Sequence, residues 1–276
     1  MLVLCAGLVA GTGTTADDAY AAGAPVNPPA GTPLATGTST VSSPATTAAA
    51  PATASAAPAA APAAPAAAPA EPAKTVSPIG ALFAGGNHFC SASVVHSAAG
   101  DLVLTAAHCV NGGSGAGNRT GLTFAPGYHD GVAPAGMWTV TSIAVAPGWT
   151  SSADPDLDFA FLTVRQAGAT ASLESLTGAN TLGVDRGFEH TITLTGYPDT
   201  TDSPVVCTGT TTRSDAYQQR VACPGFPDGT SGGPWVTDGS VIGVIGGYQL
   251  GGDTPDVSYS AYFDDDIAKL YASVTG

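Results

Sequence analysis

The chain has 276 residues, a formal net charge of −14 and only 10% charged residues, against 36 glycines and 22 prolines. This acidity argues against duplex DNA or an anionic membrane surface as a partner. The turn-rich, lightly charged composition is typical of secreted β proteins and argues against a helical bundle.

The first 21 residues contain an apolar segment that is too short to span a bilayer. Residues 1–10 are almost entirely apolar, whereas a spanning helix needs about 20 such residues. Ala19-Tyr20-Ala21 has the small-x-small form of a signal-peptidase site, so we interpret residues 1–21 as a signal peptide, although the usual basic start is missing. A lipoprotein anchor at Cys5 is the alternative, and the bulky Leu4 before it argues against that alternative.

Residues 22–76 consist mainly of Ala, Pro, Thr and Ser. Such a segment has too little apolar surface to offset the entropy lost on ordering, so we expect it to be disordered or extended like polyproline. We interpret it as a stalk or a pro-segment, and the sequence leaves open whether it is removed during maturation.

From residue 77 to residue 276 the sequence contains short apolar runs separated by Gly, Pro and Asp, which predict an all-β domain of sandwich or barrel topology. The runs are Pro78–Phe83, His88–Val95, Leu102–Leu104, Leu122–Phe124, Trp138–Val145, Phe159–Val164, Ile192–Leu194, Val205–Thr208, Val221–Cys223, Pro234–Val236 and Val241–Ile245.

The last residues predict a helix. Asp264, Asp265 and Asp266 suit the positive end of a helix dipole, and apolar side chains then recur at helical spacing up to Val274.

Three segments of this domain carry side chains suited to nucleophilic chemistry. Ser231 lies among glycines in the segment Asp228–Pro234, where a tight turn can aim successive N–H groups at one point. His108 follows an apolar run and is a candidate base for a serine hydroxyl. Asp158 leads directly into another apolar run and could orient an imidazole, with Asp154 and Asp156 as rival carboxylates.

Together these segments resemble the chymotrypsin-like serine protease family. The matching motifs are Thr-Ala-Ala-His-Cys at 105–109, Asp-Phe-Ala at 158–160 and Gly-Thr-Ser-Gly-Gly-Pro at 229–234, in the order His, Asp, Ser of that family. The resemblance covers residues 77–276. It implies two six-stranded antiparallel β-barrels with a catalytic cleft between them, and a C-terminal helix packed on the second barrel.

The resemblance also implies roles for individual residues. We expect a catalytic triad of His108, Asp158 and Ser231, with the N–H groups of Gly229 and Ser231 as the oxyanion hole. The implied substrate pocket is formed by Gly225, Gly246, Gly247 and Tyr248. Gly225 falls near the position where a trypsin-like enzyme has an aspartate, so we do not expect a preference for Arg or Lys. Tyr248 could narrow this uncharged pocket, which favours small or apolar side chains.

Thr230 departs from the family pattern, because vertebrate-type members have an aspartate there that pairs with a newly formed N-terminus. Gly246 is a second departure, since many members have a serine at that place.

Setting Cys5 aside as part of the signal leaves four of the five cysteines, which fits two disulfides in an oxidising compartment. We predict Cys207–Cys223 from proximity in the sequence and Cys90–Cys109 from likeness to a disulfide of the family. A zinc site built from His88, Cys90, His108 and Cys109 is the alternative. We expect no metal and no cofactor.

The sequence therefore predicts a secreted, monomeric serine endopeptidase that acts on proteins or peptides, with no nucleic-acid partner and no membrane span. A catalytically silent binding module of the same fold, carried on a surface stalk, is the alternative. An intact set of His, Asp and Ser argues against it.

Overall fold

A closed six-stranded barrel forms the first half of residues 76–276, the part of the chain that the computed structural model describes. Its strands pair antiparallel in the order β1-β2-β3-β6-β5-β4, and β4 returns to β1 to close the sheet. They are β1 (Ile79–Ala84), β2 (Asn87–Val94), β3 (Leu102–Thr105), β4 (Leu122–Pro126), β5 (Trp138–Val145) and β6 (Ala160–Arg165).

The second half is a seven-stranded sheet in the order β13-β10-β9-β8-β11-β12-β7. Its six longer strands repeat the cyclic order of the first barrel, and two-residue β7 adds in parallel to β12. The strands are β7 (Thr181–Leu182), β8 (Thr191–Gly196), β9 (Val205–Arg213), β10 (Gln218–Ala222), β11 (Pro234–Thr237), β12 (Ser240–Val244) and β13 (Val257–Ala261).

Two hydrogen bonds link the β12 and β13 ends of this sheet. Val244 N donates to Ser260 Oγ over 3.0 Å, and Gly246 N donates to the Tyr259 carbonyl over 3.0 Å. The predicted all-β fold with a C-terminal helix is confirmed. All the predicted apolar runs overlap strands, whereas β13 was not predicted because buried serines, Ser258 and Ser260, interrupt its apolar pattern.

The helices are short apart from the last one. They are α1 (Ala107–Val110), α2 (Pro147–Ser152), α3 (Leu173–Thr177) and α4 (Asp265–Thr275), with 3₁₀ turns at Pro155–Leu157 and Tyr248–Gly251. No helix within residues 76–276 has the length and apolar character needed to cross a bilayer.

Helix α4 begins as predicted, because the Asp264 side chain caps it by accepting from Asp266 N over 2.8 Å. Its packing partner differs from the prediction. The helix lies against β5 and β6, and the Tyr271 ring packs against Phe161 of β6. Ile267 is fully buried in a core cluster to which both halves contribute. Tyr271 Oη also donates to the His96 carbonyl over 2.6 Å. The apolar face of the helix therefore covers the first barrel, where it ties the end of the chain to the half that contains His108 and Asp158.

The structure contains both predicted disulfides, Cys90–Cys109 and Cys207–Cys223. The first joins β2 to α1, the helix on which His108 lies. The second joins β9 to the residue after β10. The predicted signal peptide at 1–21, with Cys5, and the predicted stalk up to residue 75 lie outside the described residues.

Candidate active site

Strand pairing brings His108 and Asp158 to the same edge of the first barrel. β3 and β6 are antiparallel neighbours, with Thr105 at the end of β3 opposite Ala160 at the start of β6. His108 lies on α1, directly after β3, and Asp158 lies two residues before β6. Residues far apart in sequence therefore meet because the end of one strand faces the beginning of the other.

The Asp158 carboxylate is fully buried and accepts three hydrogen bonds. His108 donates two of them, from Nδ1 to Oδ2 over 2.7 Å and from its backbone N to Oδ1 over 2.8 Å. Gly247 N donates the third, to Oδ2 over 2.8 Å. An ionised carboxylate can only accept, so Nδ1 holds the proton and Nε2 is the basic nitrogen of the neutral imidazole.

Gly246 and Gly247 support this carboxylate. A Cβ on Gly246 would lie 2.9 Å from Asp158 Oδ2, so a side chain at this position would press on the buried charge. Many members of the family have a serine at the position of Gly246. Here the backbone N–H of the next residue, Gly247, donates a hydrogen bond to the Asp158 carboxylate.

The rival carboxylates have other partners. Asp154 Oδ1 accepts from Asp156 N over 3.1 Å and caps the 3₁₀ turn, and Asp156 Oδ1 accepts from Gln218 Nε2 over 2.7 Å. Only Asp158 of these three carboxylates contacts His108.

The loop that carries Ser231 requires glycine on both sides of the serine. Gly229 has φ +89°, and a Cβ there would lie 2.2 Å from Asp199 N. Gly232 has φ +78°, and a Cβ there would lie 2.2 Å from Thr105 Oγ1. The left-handed backbone and the close packing both exclude side chains at these positions.

Two N–H groups of this loop, those of Gly229 and Ser231, donate no hydrogen bond within the described residues. Thr230 N, by contrast, donates to the Pro227 carbonyl over 3.2 Å. The carbonyl of Asp228 accepts from Asp199 N over 3.0 Å. Because N–H and C=O point in opposite directions in a trans peptide, this bond turns the Gly229 N–H away from Asp199.

Thr230 stands where vertebrate-type relatives have an aspartate, and it is satisfied locally. The residue is 2% exposed, and Oγ1 donates to the Pro227 carbonyl over 2.6 Å. This loop is thus formed with no ion pair at Thr230 in the described part of the chain.

His108 and Ser231 line one open cleft of about 590 Å³. Within the described residues, Ser231 Oγ and His108 Nε2 do not form a hydrogen bond with each other. Apolar walls come from Phe226 and Ile245, and Leu250 also faces the cleft. Three exposed carboxylates, Asp199, Asp228 and Asp253, are also among its lining residues.

The residues predicted to form the pocket do not line this cleft, although their neighbours in sequence do. Gly246 and Gly247 instead pack on Asp158, and the exposed Tyr248 ring packs edge-on against Tyr259, with 5.0 Å between centroids. Gly225 is exposed, with φ +93°. The wall of the cleft comes from Phe226, Ile245 and the loop Gln249–Pro255.

The alternative zinc site does not fit the residues present. Ligand atoms of Cys90, His108 and Cys109 lie within 4.8 Å of one another. However, both sulfur atoms are joined in the Cys90–Cys109 disulfide, and zinc binds thiolates. In addition, His108 Nδ1 is already bonded to Asp158.

Comparison with known protein families identifies one match, which covers more than half of the chain. A family model described as a trypsin-like peptidase domain matches residues 90–244. No sequence among curated proteins matches this chain.

Solved structures give the same result at the level of the fold. The protease Anisep from Arthrobacter nicotinovorans is 28% identical, with a TM-score of 0.64, and the alignment covers 73% of this chain and 96% of Anisep. A thermostable serine protease, AL20, from an extremophilic microorganism is 26% identical, with a TM-score of 0.65 and coverage of 72% and 97%. A Glu endopeptidase shares the fold at 19% identity and a TM-score of 0.61, with coverage of 72% of this chain and 91% of its own.

The close packing of Gly229 can be tested against a matched glycine. Gly225 also has positive φ, but a Cβ there would meet nothing within 4 Å. Both Gly229→Ala and Gly225→Ala should lose about 1–2 kcal/mol from the left-handed backbone. Gly229→Ala should lose roughly a further 1–3 kcal/mol from overpacking against Asp199. Urea unfolding measures both free energies, and equal losses would show that the contact at Gly229 is unimportant.

Proposed function

The chain belongs to the trypsin-like peptidase family, and on that premise we propose that this serine endopeptidase cleaves peptide bonds through a triad of Ser231, His108 and Asp158. The observation that carries the proposal is the 2.7 Å contact between His108 Nδ1 and the buried Asp158 carboxylate, made beside the cleft that Ser231 lines. Serine is a poor nucleophile until a base removes its proton, and this pair supplies the base and the group that orients it.

The first half of the reaction forms an acyl-enzyme. Ser231 Oγ attacks the carbonyl carbon of the substrate while His108 Nε2 takes the hydroxyl proton. Asp158 stabilises the imidazolium that results. When the tetrahedral intermediate collapses, the C–N bond breaks and His108 gives the proton to the departing amine. The substrate's acyl group is then an ester on Ser231.

The second half returns the enzyme to its starting state. Water gives a proton to His108 Nε2 and attacks the ester, and a second tetrahedral intermediate forms. Its collapse releases the carboxylic acid as His108 returns the proton to Ser231 Oγ. The reaction therefore needs no cofactor.

The negative oxygen of both intermediates would be bound by the N–H groups of Gly229 and Ser231. These two groups have no acceptor in the described region, so no internal bond must be broken before they bind the oxyanion. Donors fixed in this way lower the barrier by about 2.7–4 kcal/mol each.

We further propose that the enzyme is secreted and acts as a monomer. Two disulfides fit an oxidising compartment, and a signal peptide at residues 1–21 would direct the chain there. The alternative of a silent binding module is not favoured, because such a module has no need of a buried carboxylate that holds an imidazole in one orientation.

The cleft supports a preference for neutral side chains in the substrate. Phe226 and Ile245 are more than nine-tenths buried and form apolar walls, whereas the lining carboxylates are exposed. We propose that small or apolar residues precede the cleaved bond.

A digest of a peptide library should therefore show cleavage mainly after neutral residues. The product termini can be read by mass spectrometry. A dominant preference for Arg, Lys or Glu at this position would contradict the proposed pocket.

Replacement of the nucleophile should abolish activity and leave the fold intact. Ser231→Ala removes the attacking oxygen, so peptide hydrolysis and labelling by a fluorophosphonate should both disappear while the thermal unfolding temperature stays near that of the wild type. In the wild type the label should map to Ser231, and His108→Ala should prevent labelling. Substantial hydrolysis by Ser231→Ala would refute the assignment.

Asp158→Asn should lower kcat by about 10⁴-fold, because an amide cannot hold the productive imidazole tautomer or stabilise its charge. Asp154→Asn is the matched control, since an asparagine caps a helical turn about as well as an aspartate. That control should keep nearly full activity in a steady-state peptide assay. Equal activities of the two variants would exclude Asp158 from the triad.

A further inference from the structure

Ser91 connects the first barrel to the loop of Ser231. It lies on β2 and is fully buried. Its backbone N donates to the Ser231 carbonyl over 2.7 Å, and its Oγ donates to the Gly229 carbonyl over 3.1 Å. Tyr197 N donates to the same Oγ over 2.8 Å. A single serine therefore contacts the loop at two carbonyls, one on each side of Thr230.

The direction of these hydrogen bonds is fixed by their chemistry. A backbone N–H can only donate, so Ser91 Oγ must accept from Tyr197. The hydroxyl proton is then available for the Gly229 carbonyl, which can only accept. Since the three groups are buried, removal of the hydroxyl would leave both a donor and an acceptor without a partner, a costly arrangement.

The Gly229 residue lies between two peptide groups that are held by different residues. Asp199 N holds the carbonyl of Asp228, which fixes the peptide that contains the Gly229 N–H. The Ser91 hydroxyl holds the Gly229 carbonyl, which fixes the next peptide. Glycine rotates easily about its own backbone bonds, so both anchors are needed to keep its N–H in one direction.

We propose that the Ser91 hydroxyl is a positioning residue for the oxyanion hole, which it holds in shape through the Gly229 carbonyl. This inference rests on the proposed function of Gly229 and Ser231. Ser91 itself contacts no reacting atom. Its hydroxyl acts on the transition state through the direction of the Gly229 N–H, so its effect should fall on kcat rather than on KM.

Ser91→Ala tests the hydroxyl alone, because the backbone N–H that binds the Ser231 carbonyl remains. Ser93→Ala is a matched control: Ser93 is also fully buried on β2, and its hydroxyl has no hydrogen-bond partner within residues 76–276. Ser91→Ala should lower kcat by roughly 10-fold or more and change KM by less than about twofold. Ser93→Ala should leave both constants unchanged.

The two variants separate positioning from general stability. A kcat for Ser91→Ala equal to that of Ser93→Ala would overturn the proposal. A lower kcat/KM in Ser91→Ala that comes only from a raised KM would overturn it as well. Should Ser91→Ala not fold, Ser91→Cys carries the same test, because the thiol fills a similar volume but is a weak donor.

Failure of the proposed function would be recognised separately, by a wild-type protein that neither hydrolyses peptides nor labels at Ser231. The effect of the Ser91 hydroxyl on the Gly229 backbone can still be tested in such a protein by NMR of the backbone amides. Ser91→Ala should shift the amide signals of Gly229 and Thr230, and Ser93→Ala should not. Unchanged signals in Ser91→Ala would overturn the claim that the Ser91 hydroxyl fixes the backbone at Gly229.

Discussion

A buried negative charge constrains the centre of this molecule. The Asp158 carboxylate is withdrawn completely from solvent, and an unpaired charge in that position would cost far more than a small domain can offset. It is tolerated because three N–H groups converge on it, two from His108 and one from Gly247. His108 belongs to the first half and Gly247 to the second, so the charge is satisfied only when the two halves are assembled.

The Ser231 loop depends on the same assembly. Its shape is set by contacts from both halves: Ser91 on β2 of the first barrel, and Asp199 and Ile245, which follow β8 and β12 in the second half. Gly232 N donates to the Ile245 carbonyl over 2.7 Å. The geometry around Ser231 therefore depends on the association of the two halves, and both disulfides lie in segments that lead towards this region.

Local sequence patterns predicted much of this arrangement. Apolar runs marked nearly all the longer strands, and three motifs marked His108, Asp158 and Ser231, because strand formation and tight turns depend on neighbouring residues. The packing partner of α4 was predicted wrongly, and the loop Gln249–Pro255 that lines the cleft was not predicted. Those features depend on contacts between residues distant in sequence. The same is true of the hydrogen bonds made by Ser91 and Gly247, which no local pattern distinguishes from ordinary strand and turn residues.

A crystal structure of the protein with a peptide boronate tests most directly whether His108 and the free N–H groups serve Ser231. The account predicts a bond from boron to Ser231 Oγ, one boronate oxygen about 2.7–3.1 Å from the N–H groups of both Gly229 and Ser231, and His108 Nε2 facing the adduct. A boronate bound elsewhere, or an imidazole turned away from the adduct, would contradict it.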